Sequence, residues 1–250
     1  MIASRVDAFL ACLVPRRCVL CNEPGVVNSI CGGCQADLPW LGAVCPGCGV
    51  GLPSGTGTGP CGCCGTRLPG HGAVIAPLTY EFPVDRMVTG AKFHRQLYFA
   101  RALGELLGEF LAREAGDRPR PDVLVPVPLH RGRLARRGYN QALEIARPVA
   151  RRLGLPLSPR LVERIRGTPE QTGLTALQRR RNLRGAFRAS AGCRGARVAV
   201  LDDVITTGST VAALAGALRA AGAVSVEVWA PARTPGRGAG AARAATPAGR

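Results

Sequence analysis

Arg197-Val198-Ala199-Val200-Leu201-Asp202-Asp203-Val204-Ile205-Thr206-Thr207-Gly208-Ser209-Thr210 runs from a short apolar segment into two acids, two aliphatics and a hydroxyl-rich turn. An uninterrupted apolar run of this length suits a strand buried on both faces, as in a parallel sheet. Val211 to Ala221 then has helical composition and stops at Gly222. Because the turn opens a helix, its backbone N–H groups form an anion nest, and the Thr and Ser hydroxyls add donors for a phosphate monoester. Gly208 permits close backbone approach. Carboxylates at the end of the strand accept hydrogen bonds from sugar hydroxyls and organise Mg2+ directly or through water. Sugar, phosphate and metal would therefore converge on Asp202, Asp203, Thr206, Thr207, Gly208, Ser209 and Thr210. A Rossmann-type site would need G-x-G-x-x-G, which is lacking here. Lys92, the sole lysine, has no following Ser or Thr, which excludes a Walker A loop.

Working outward, Ala73–Tyr80, Asp122–Val127 and Ser225–Ala230 read as strands, Val84–Glu114 as one long amphipathic helix and Arg133–Leu153 as another. This alternation predicts an α/β fold, a mostly parallel sheet with helices on both faces. A chain of 250 residues accommodates one such domain and a small appendage. The expected division is 1–72 for an N-terminal helix (Ile2–Val14) and a cysteine-rich module, 73–235 for the α/β domain, and 236–250 for a disordered tail. From Thr234 onward Gly, Ala, Arg and Pro dominate and apolar periodicity is lost. No stretch approaches the ~20 apolar residues of a membrane span. The opening apolar run is broken by Asp7 and followed by no convincing cleavage site. The expectation is a cytoplasmic protein without membrane insertion.

The net charge of +17 is uneven. Between positions 131 and 188 there are 15 arginines against Glu144, Glu163 and Glu170, the footprint of an anionic partner, polyphosphate or nucleic acid. The competing reading is a compositional bias toward arginine, since 32 arginines accompany one lysine. Against nucleic acid, aromatics make up only 4% of the chain, a poor supply of stacking platforms for single-strand bases.

Eleven cysteines include four C-x-x-C pairs, Cys18/Cys21, Cys31/Cys34, Cys45/Cys48 and Cys61/Cys64, within 47 residues. A C-x-x-C turn puts two thiolates on one side of a tight loop, and two such knuckles complete a tetrahedral four-cysteine site for Zn2+. Eight ligands suggest two structural zinc ions, closed to chemistry. An iron–sulfur site, a redox pair and a disulfide framework compete, and the last is disfavoured by the odd cysteine count and missing secretion signal. Consecutive and cross-braced pairings are both compatible with the spacing, Cys63 rivals Cys64, and His71 is a substitute ligand. Cys12 and Cys193 read as packing residues. Chelation is expected to unfold 15–70 while leaving the downstream domain soluble.

The stretch from Val198 to Thr210 resembles, position by position, the phosphoribosyl pyrophosphate (PRPP) signature of type I phosphoribosyltransferases. The likeness extends over nearly the whole chain to the ComF/GntX family, competence-associated proteins that join a cysteine-knuckle region to a phosphoribosyltransferase-like domain. It rests also on Val125-Pro126-Val127-Pro128-Leu129, on Arg136-Arg137-Gly138-Tyr139-Asn140-Gln141, on the Lys92 segment, and on Gln171 and Arg181-Asn182 through Phe187. The resemblance implies a type I phosphoribosyltransferase fold, PRPP and Mg2+ as ligands, and a link to DNA uptake with single-stranded DNA or a competence-machinery protein as partner. It assigns Pro126, Val127, Pro128 and Leu129 to the pyrophosphate loop, and 164–187 to a flap in which Arg181, not ranked above Arg180, would act with Asp202 and Asp203 in catalysis. Lys92 reads equally as a solvated helical lysine or a substrate contact, and the resemblance favours contact. Thr206 stands where purine-salvage relatives carry an aspartate base, so the acceptor implied is an amine that needs no deprotonation, or else PRPP is bound without turnover.

Overall fold

The computed structural model describes residues 16–24, 26–53, 59–62, 64, 72–114, 116, 118–167, 182–183 and 185–236. At its centre β6 (Arg197–Leu201) lies between β3 (Val123–Pro126) and β8 (Ser225–Trp229), and β1 (Val74–Ile75) borders β8 on the far side. All three pairings are parallel, with Leu124 opposite Ala199, Ala199 opposite Glu227 and Val74 opposite Val228. Val198, Ala199, Val200 and Leu201 are buried on both faces, as the continuous apolar run requires. A second parallel sheet has the order β2 (Leu78–Thr79), β9 (Ala232–Arg233), β7 (Val204–Ile205), and β4 (Val162–Arg164) with β5 (Phe187–Ala189) makes an antiparallel ribbon. The single strand expected over Ala73–Tyr80 is thus two short strands in two sheets. Pro77, which has no N–H to donate, sits at the step between them.

The two long helices expected from periodicity are each broken. Val84–Glu114 divides into α2 (Val84–Phe93) and α3 (Leu97–Arg113), with Arg95 at φ +57 in the turn. Arg133–Leu153 divides into α4 (Arg131–Arg137) and α5 (Gln141–Leu153). Gly138 ends α4 at φ +83, a conformation that L side chains rarely adopt, and the Asn140 side chain caps α5 by accepting from the Ala142 N–H at 3.1 Å. α3 and α5 cover one face of the central sheet, while α6 (Ser209–Ala220) packs against β5 and β8 on the other. The fold is the α/β class read from the sequence, a parallel sheet between helices. No helix among the described residues is long and apolar enough to cross a membrane.

α3 and α5 approach so closely that a Cβ at Gly104 would stand 2.4 Å from the Ile145 carbonyl oxygen and 3.0 Å from Pro148 Cγ. The first obstacle is backbone and cannot swing aside. Gly104→Ala is expected to destabilise the chain by about 1–3 kcal/mol despite the better helix propensity of alanine, read as a lower urea midpoint at unchanged slope.

The cysteine-rich segment is less of an appendage than its composition suggests. Cys31 caps the short helix α1 (Gly32–Ala36), where α1 precedes β1 in the chain, and Asn28 Nδ2 donates to Glu109 Oε1 of α3 at 2.6 Å. The Ser29 N–H donates to Glu105 Oε2 at 2.9 Å, and Trp40 stacks on Phe110 with ring centroids 6.3 Å apart. Burial pushes the Glu105 carboxyl up, but Arg101 and Ser29 outweigh it and hold the group below its ordinary value. Cys18, Ile30 and Leu38 belong to the same buried core as the sheet and α3. Cys45, Val50 and Leu52 form a small core of their own.

Candidate functional site

β3 and β6 end side by side, and the Val127 N–H donates to the Leu201 carbonyl at 2.8 Å. From that point Pro128 and Leu129 lead off one strand and Asp202 and Asp203 off the other, walling a cleft of ≈440 Å³ between the strand ends. This is the outer edge of a parallel sheet's carboxyl ends, where open α/β folds bind ligands. Asp203 is only 4% exposed and pairs with Lys92, the Nζ to Oδ2 distance being 2.9 Å. Lys92 comes from the last turn of α2, so the sole lysine of the chain reaches the acid pair from 111 residues away in sequence. Burial drives its ammonium pKa down, but Asp203 and, further off, Asp202 more than compensate and raise it above the ordinary value. Among the described residues Asp202 forms no ion pair of its own. Burial first and the adjacent Asp203 second push its carboxyl up to about 7, even though Lys92 and the Asp203 N–H, 2.9 Å from Oδ1, pull the other way.

Beyond the acids, β7 delivers the chain to the hydroxyl turn. Gly208 sits at φ +71 and is the N-cap of α6, with no side chain of its own to occupy the N–H groups of the first turn. A Cβ built on Gly208 meets nothing within 4 Å, so open space borders the turn at this residue. Thr207 Oγ1 lies 2.9 Å from Ser209 Oγ and accepts from the Ser209 N–H at 3.4 Å. Thr206 and Thr210 line the cleft itself.

The remaining wall is basic. Arg133, Arg137 and Arg164 line the cleft with Phe93 and Gln141. The Arg137 guanidinium lies 5.3 Å from the centroid of the Phe93 ring and donates to Gln141 Oε1 at 2.7 Å. Its neighbours in the Arg136–Gln141 motif tie the walls together, since the Tyr139 hydroxyl donates to the Ala91 carbonyl of α2 and Asn140 Nδ2 donates to the Val127 carbonyl at 3.0 Å. Arg164, on β4, lies 5.7 Å over Phe187, and burial followed by Arg133 holds its pKa below the ordinary value.

The described cysteines are free thiols; Cys193 is buried alone, and the other eight form two consecutive groups, Cys18, Cys21, Cys31 and Cys34, and then Cys45, Cys48, Cys61 and Cys64, with the sulfurs of each group within 4.8 Å of one another. Backbone N–H groups point at sulfur within each, from Cys31 to Cys18 Sγ at 3.4 Å and from Cys61 to Cys45 Sγ at 3.2 Å. Burial raises the Cys18 and Cys45 thiols, but these donors prevail and bring them to about 6 and about 7. Four sulfurs so clustered are suited to a tetrahedral metal, and both groups could hold zinc. The cross-braced alternative is not the arrangement adopted.

No family model matches the sequence. Among curated proteins, the DNA utilization protein YhgH of Salmonella typhi is 37% identical over 225 residues, covering 88% of this chain and 98% of that one. YhgH of Escherichia coli K12 stands equally at 37%, and Competence protein F of Haemophilus influenzae is 34% identical over 226 residues, 87% of this chain and 96% of its own. The chain belongs to the ComF/GntX family. Among solved structures, glutamine PRPP amidotransferase from B. subtilis is 24% identical with a TM-score of 0.36 over 52% of this chain and 26% of that one. A purine phosphoribosyltransferase from Pyrococcus horikoshii is 16% identical with a TM-score of 0.31 over 64% and 88% of the two chains.

In this ComF/GntX chain the fold gathers Lys92, Val127, Pro128, Leu129, Asp202, Asp203, Thr206 and Thr210 around one cleft, and Thr207, Gly208 and Ser209 complete the adjoining turn. Pro126 is the last residue of β3, one step behind the wall. Arg181, with Arg179, Arg180, Gln171, Cys12, Cys63, His71 and the Ile2–Val14 segment, lies outside the described residues, as do positions 168–181 and 184 of the flap expected over 164–187. The site also contains residues that sequence patterning does not single out as ligand contacts. Phe93, Arg133, Arg137 and Gln141 lie on three different helices, and only the fold shows that these helices share a wall.

Proposed function

We propose that the cleft between the ends of β3 and β6 binds PRPP with Mg2+, and that the chain transfers its phosphoribosyl group to an amine with release of pyrophosphate. The observation that carries this reading is the convergence of the acid pair, with Asp203 held by Lys92, and the turn at the α6 N-terminus, through Thr206 and Thr210, on one ≈440 Å³ cleft. Asp202 and Asp203 accept from the ribose hydroxyls. The N–H groups and hydroxyls of Thr206–Thr210 take the 5-phosphate. Arg133 and Arg137, with the Pro128–Leu129 backbone, face the pyrophosphate, whose departing charge is the main barrier term that a preorganised basic wall reduces. The oxygen donors are the hard set that Mg2+ prefers, and Mg2+, when bound, neutralises the diphosphate further. With Thr206 in place of an acid, no side chain of the turn can act as general base, so an acceptor that is already nucleophilic is required. Pyrophosphate release should depend on PRPP and on one or more members of a panel of amines and bases. If no acceptor in the panel elicits release while PRPP binds tightly, the reading reduces to binding alone.

Ionised Asp202 is the form that accepts hydrogen bonds, and its pKa near 7 gives binding a pH signature. PRPP affinity should rise between about pH 6 and pH 8 and level off above. In Asp202→Asn that rise should shrink to the part set by the ligand's own phosphate ionisation at about pH 6, as isothermal titration at three pH values would show.

A second reading is favoured by the names of the relatives and by one surface. A groove of ≈790 Å³ beside α4 is lined by Arg131 and Arg147, each paired with a glutamate of the same groove, and by Arg160 and Arg188, which are the cations offered to a single-stranded nucleic acid backbone. If it is so used, the log–log salt dependence of DNA affinity should be steep, and Arg160→Ala with Arg188→Ala should lower the slope by about 0.7 for each phosphate no longer neutralised. An unchanged slope rules the groove out.

A further inference from the structure

One arginine touches both the second cysteine group and the anion-type turn. Arg233, on β9, donates from Nε to the carbonyl of Cys48 at 2.9 Å. From Nη1 it donates to the carbonyl of Ile205 at 3.0 Å, and the Thr206 carbonyl lies against the same nitrogen. Thr234 reinforces the contact, its N–H donating to the Ile205 carbonyl at 3.0 Å and its Oγ1 accepting from Arg233 Nη1 at 3.1 Å. These donors are directed at backbone carbonyls, not into the cleft, and Arg233 does not line it.

Peptide planarity gives these contacts a consequence. The carbonyl of Ile205 and the N–H of Thr206 share one rigid plane, as do the carbonyl of Thr206 and the N–H of Thr207, and in a trans peptide the two groups point in opposite directions. Holding both carbonyls on the guanidinium therefore fixes where two N–H donors of the turn point. At its other end the guanidinium is anchored on the Cys45–Cys48 knuckle. There the Gly49 N–H donates to the Cys45 carbonyl and the Cys45 N–H to the Val50 carbonyl, both at 2.8 Å. A closed four-cysteine metal site would lock this knuckle by binding the Cys45 and Cys48 sulfurs together, and the thiols of this group are suited to one. The first group makes its described polar contacts with α3, through Asn28 and Ser29, and none with the turn.

We infer that Arg233 is a positioning residue that couples metal occupancy of the second cysteine group to the geometry of the Thr206–Thr210 turn. The two cysteine groups then differ in role, the first bracing α3 and the second setting the turn. The structural coupling stands on the hydrogen bonds alone, and its effect on ligand affinity rests on the reading of the turn as a phosphate site.

Amide hydrogen exchange of the full, metal-loaded chain tests this, followed on peptides spanning 204–210. In Arg233→Met, which keeps an apolar stem and removes the donors, exchange there should be about tenfold faster while both metals are retained. Cys48→Ser should produce a similar acceleration and add little to Arg233→Met in the double variant, whereas Cys34→Ser in the other group should produce much less. Exchange in the turn that ignores Arg233→Met, or effects of Cys48→Ser and Arg233→Met that add in full, would overturn the coupling. PRPP titration of the same proteins separates the two claims. If the wild-type chain fails to bind PRPP while exchange responds as expected, the ligand reading falls and the coupling stands. If PRPP binds and Arg233→Met leaves its affinity unchanged, the coupling has no bearing on the site.

Discussion

Asp202→Asn is expected to raise the melting temperature at pH 8 while weakening PRPP binding by about 100-fold, the loss that follows when charge-assisted hydrogen bonds to two hydroxyls are removed. The opposite signs come from one cause. In the folded chain burial and Asp203 hold the Asp202 pKa near 7, well above its ordinary value of 3.8. Between these two values the folded state keeps a proton that the unfolded state has released, so Asp202 makes stability fall as pH rises through that window, and the deficit is complete above about pH 7. Asparagine retains the Oδ1 that accepts from the Asp203 N–H and removes the ionisation. The variant should match the wild type at pH 4 and exceed it by about 5 °C at pH 8, as a pair of thermal melts would show. Equal stability at both pH values would mean that Asp202 is not held protonated by its surroundings. Lys92→Met should act in the other direction, since it leaves Asp203 buried without its cation.

Removing metal from the cysteine groups is expected to have the larger effect on stability. Closed zinc sites supply about 10–16 kcal/mol of apparent folding free energy in isolated finger peptides. The sequence alone suggests that this loss stays within 15–70. The packing argues otherwise, because Cys18, Ile30 and Leu38 share the main core, Trp40 stacks on Phe110, and Asn28 and Ser29 satisfy two carboxylates of α3. Chelation should therefore uncover the face of α3, bind a hydrophobic dye, and lower the unfolding midpoint of the whole chain in one transition. A separate early transition followed by an unchanged main one would show that the module is energetically independent.

The strand, acids, turn and helix of 197–221 were legible because their signals are local. A buried parallel strand, an αL glycine and a helix start each leave a mark within a few residues. The cysteine groups were legible for the same reason, and only their pairing needed the fold. Helix boundaries were less so. Gly138 and Asn140 carry a stop and a start that an amphipathic period running through them obscures, whereas the break at Arg95 has no residue type to announce it. What sequence spacing could not reveal is the partner of each charge. Lys92 reaches Asp203, and Arg233 reaches Cys48 and Thr206, each far away along the chain, and such contacts are set by how β9, β7 and α2 dock. The basic wall of Arg133 and Arg137 shows the same limit, because an excess of arginine in composition does not say which guanidinium faces the acids.

The central claim is that one cleft holds a sugar phosphate between the acid pair and the hydroxyl turn. Calorimetric titration of the metal-loaded chain with PRPP in the presence of Mg2+ tests it most directly, set beside Asp202→Asn/Asp203→Asn. The account predicts one site in the wild type and at least a roughly 100-fold weaker one, or none, in the double variant. Absence of binding to the wild type, or equal affinity in both proteins, would contradict it.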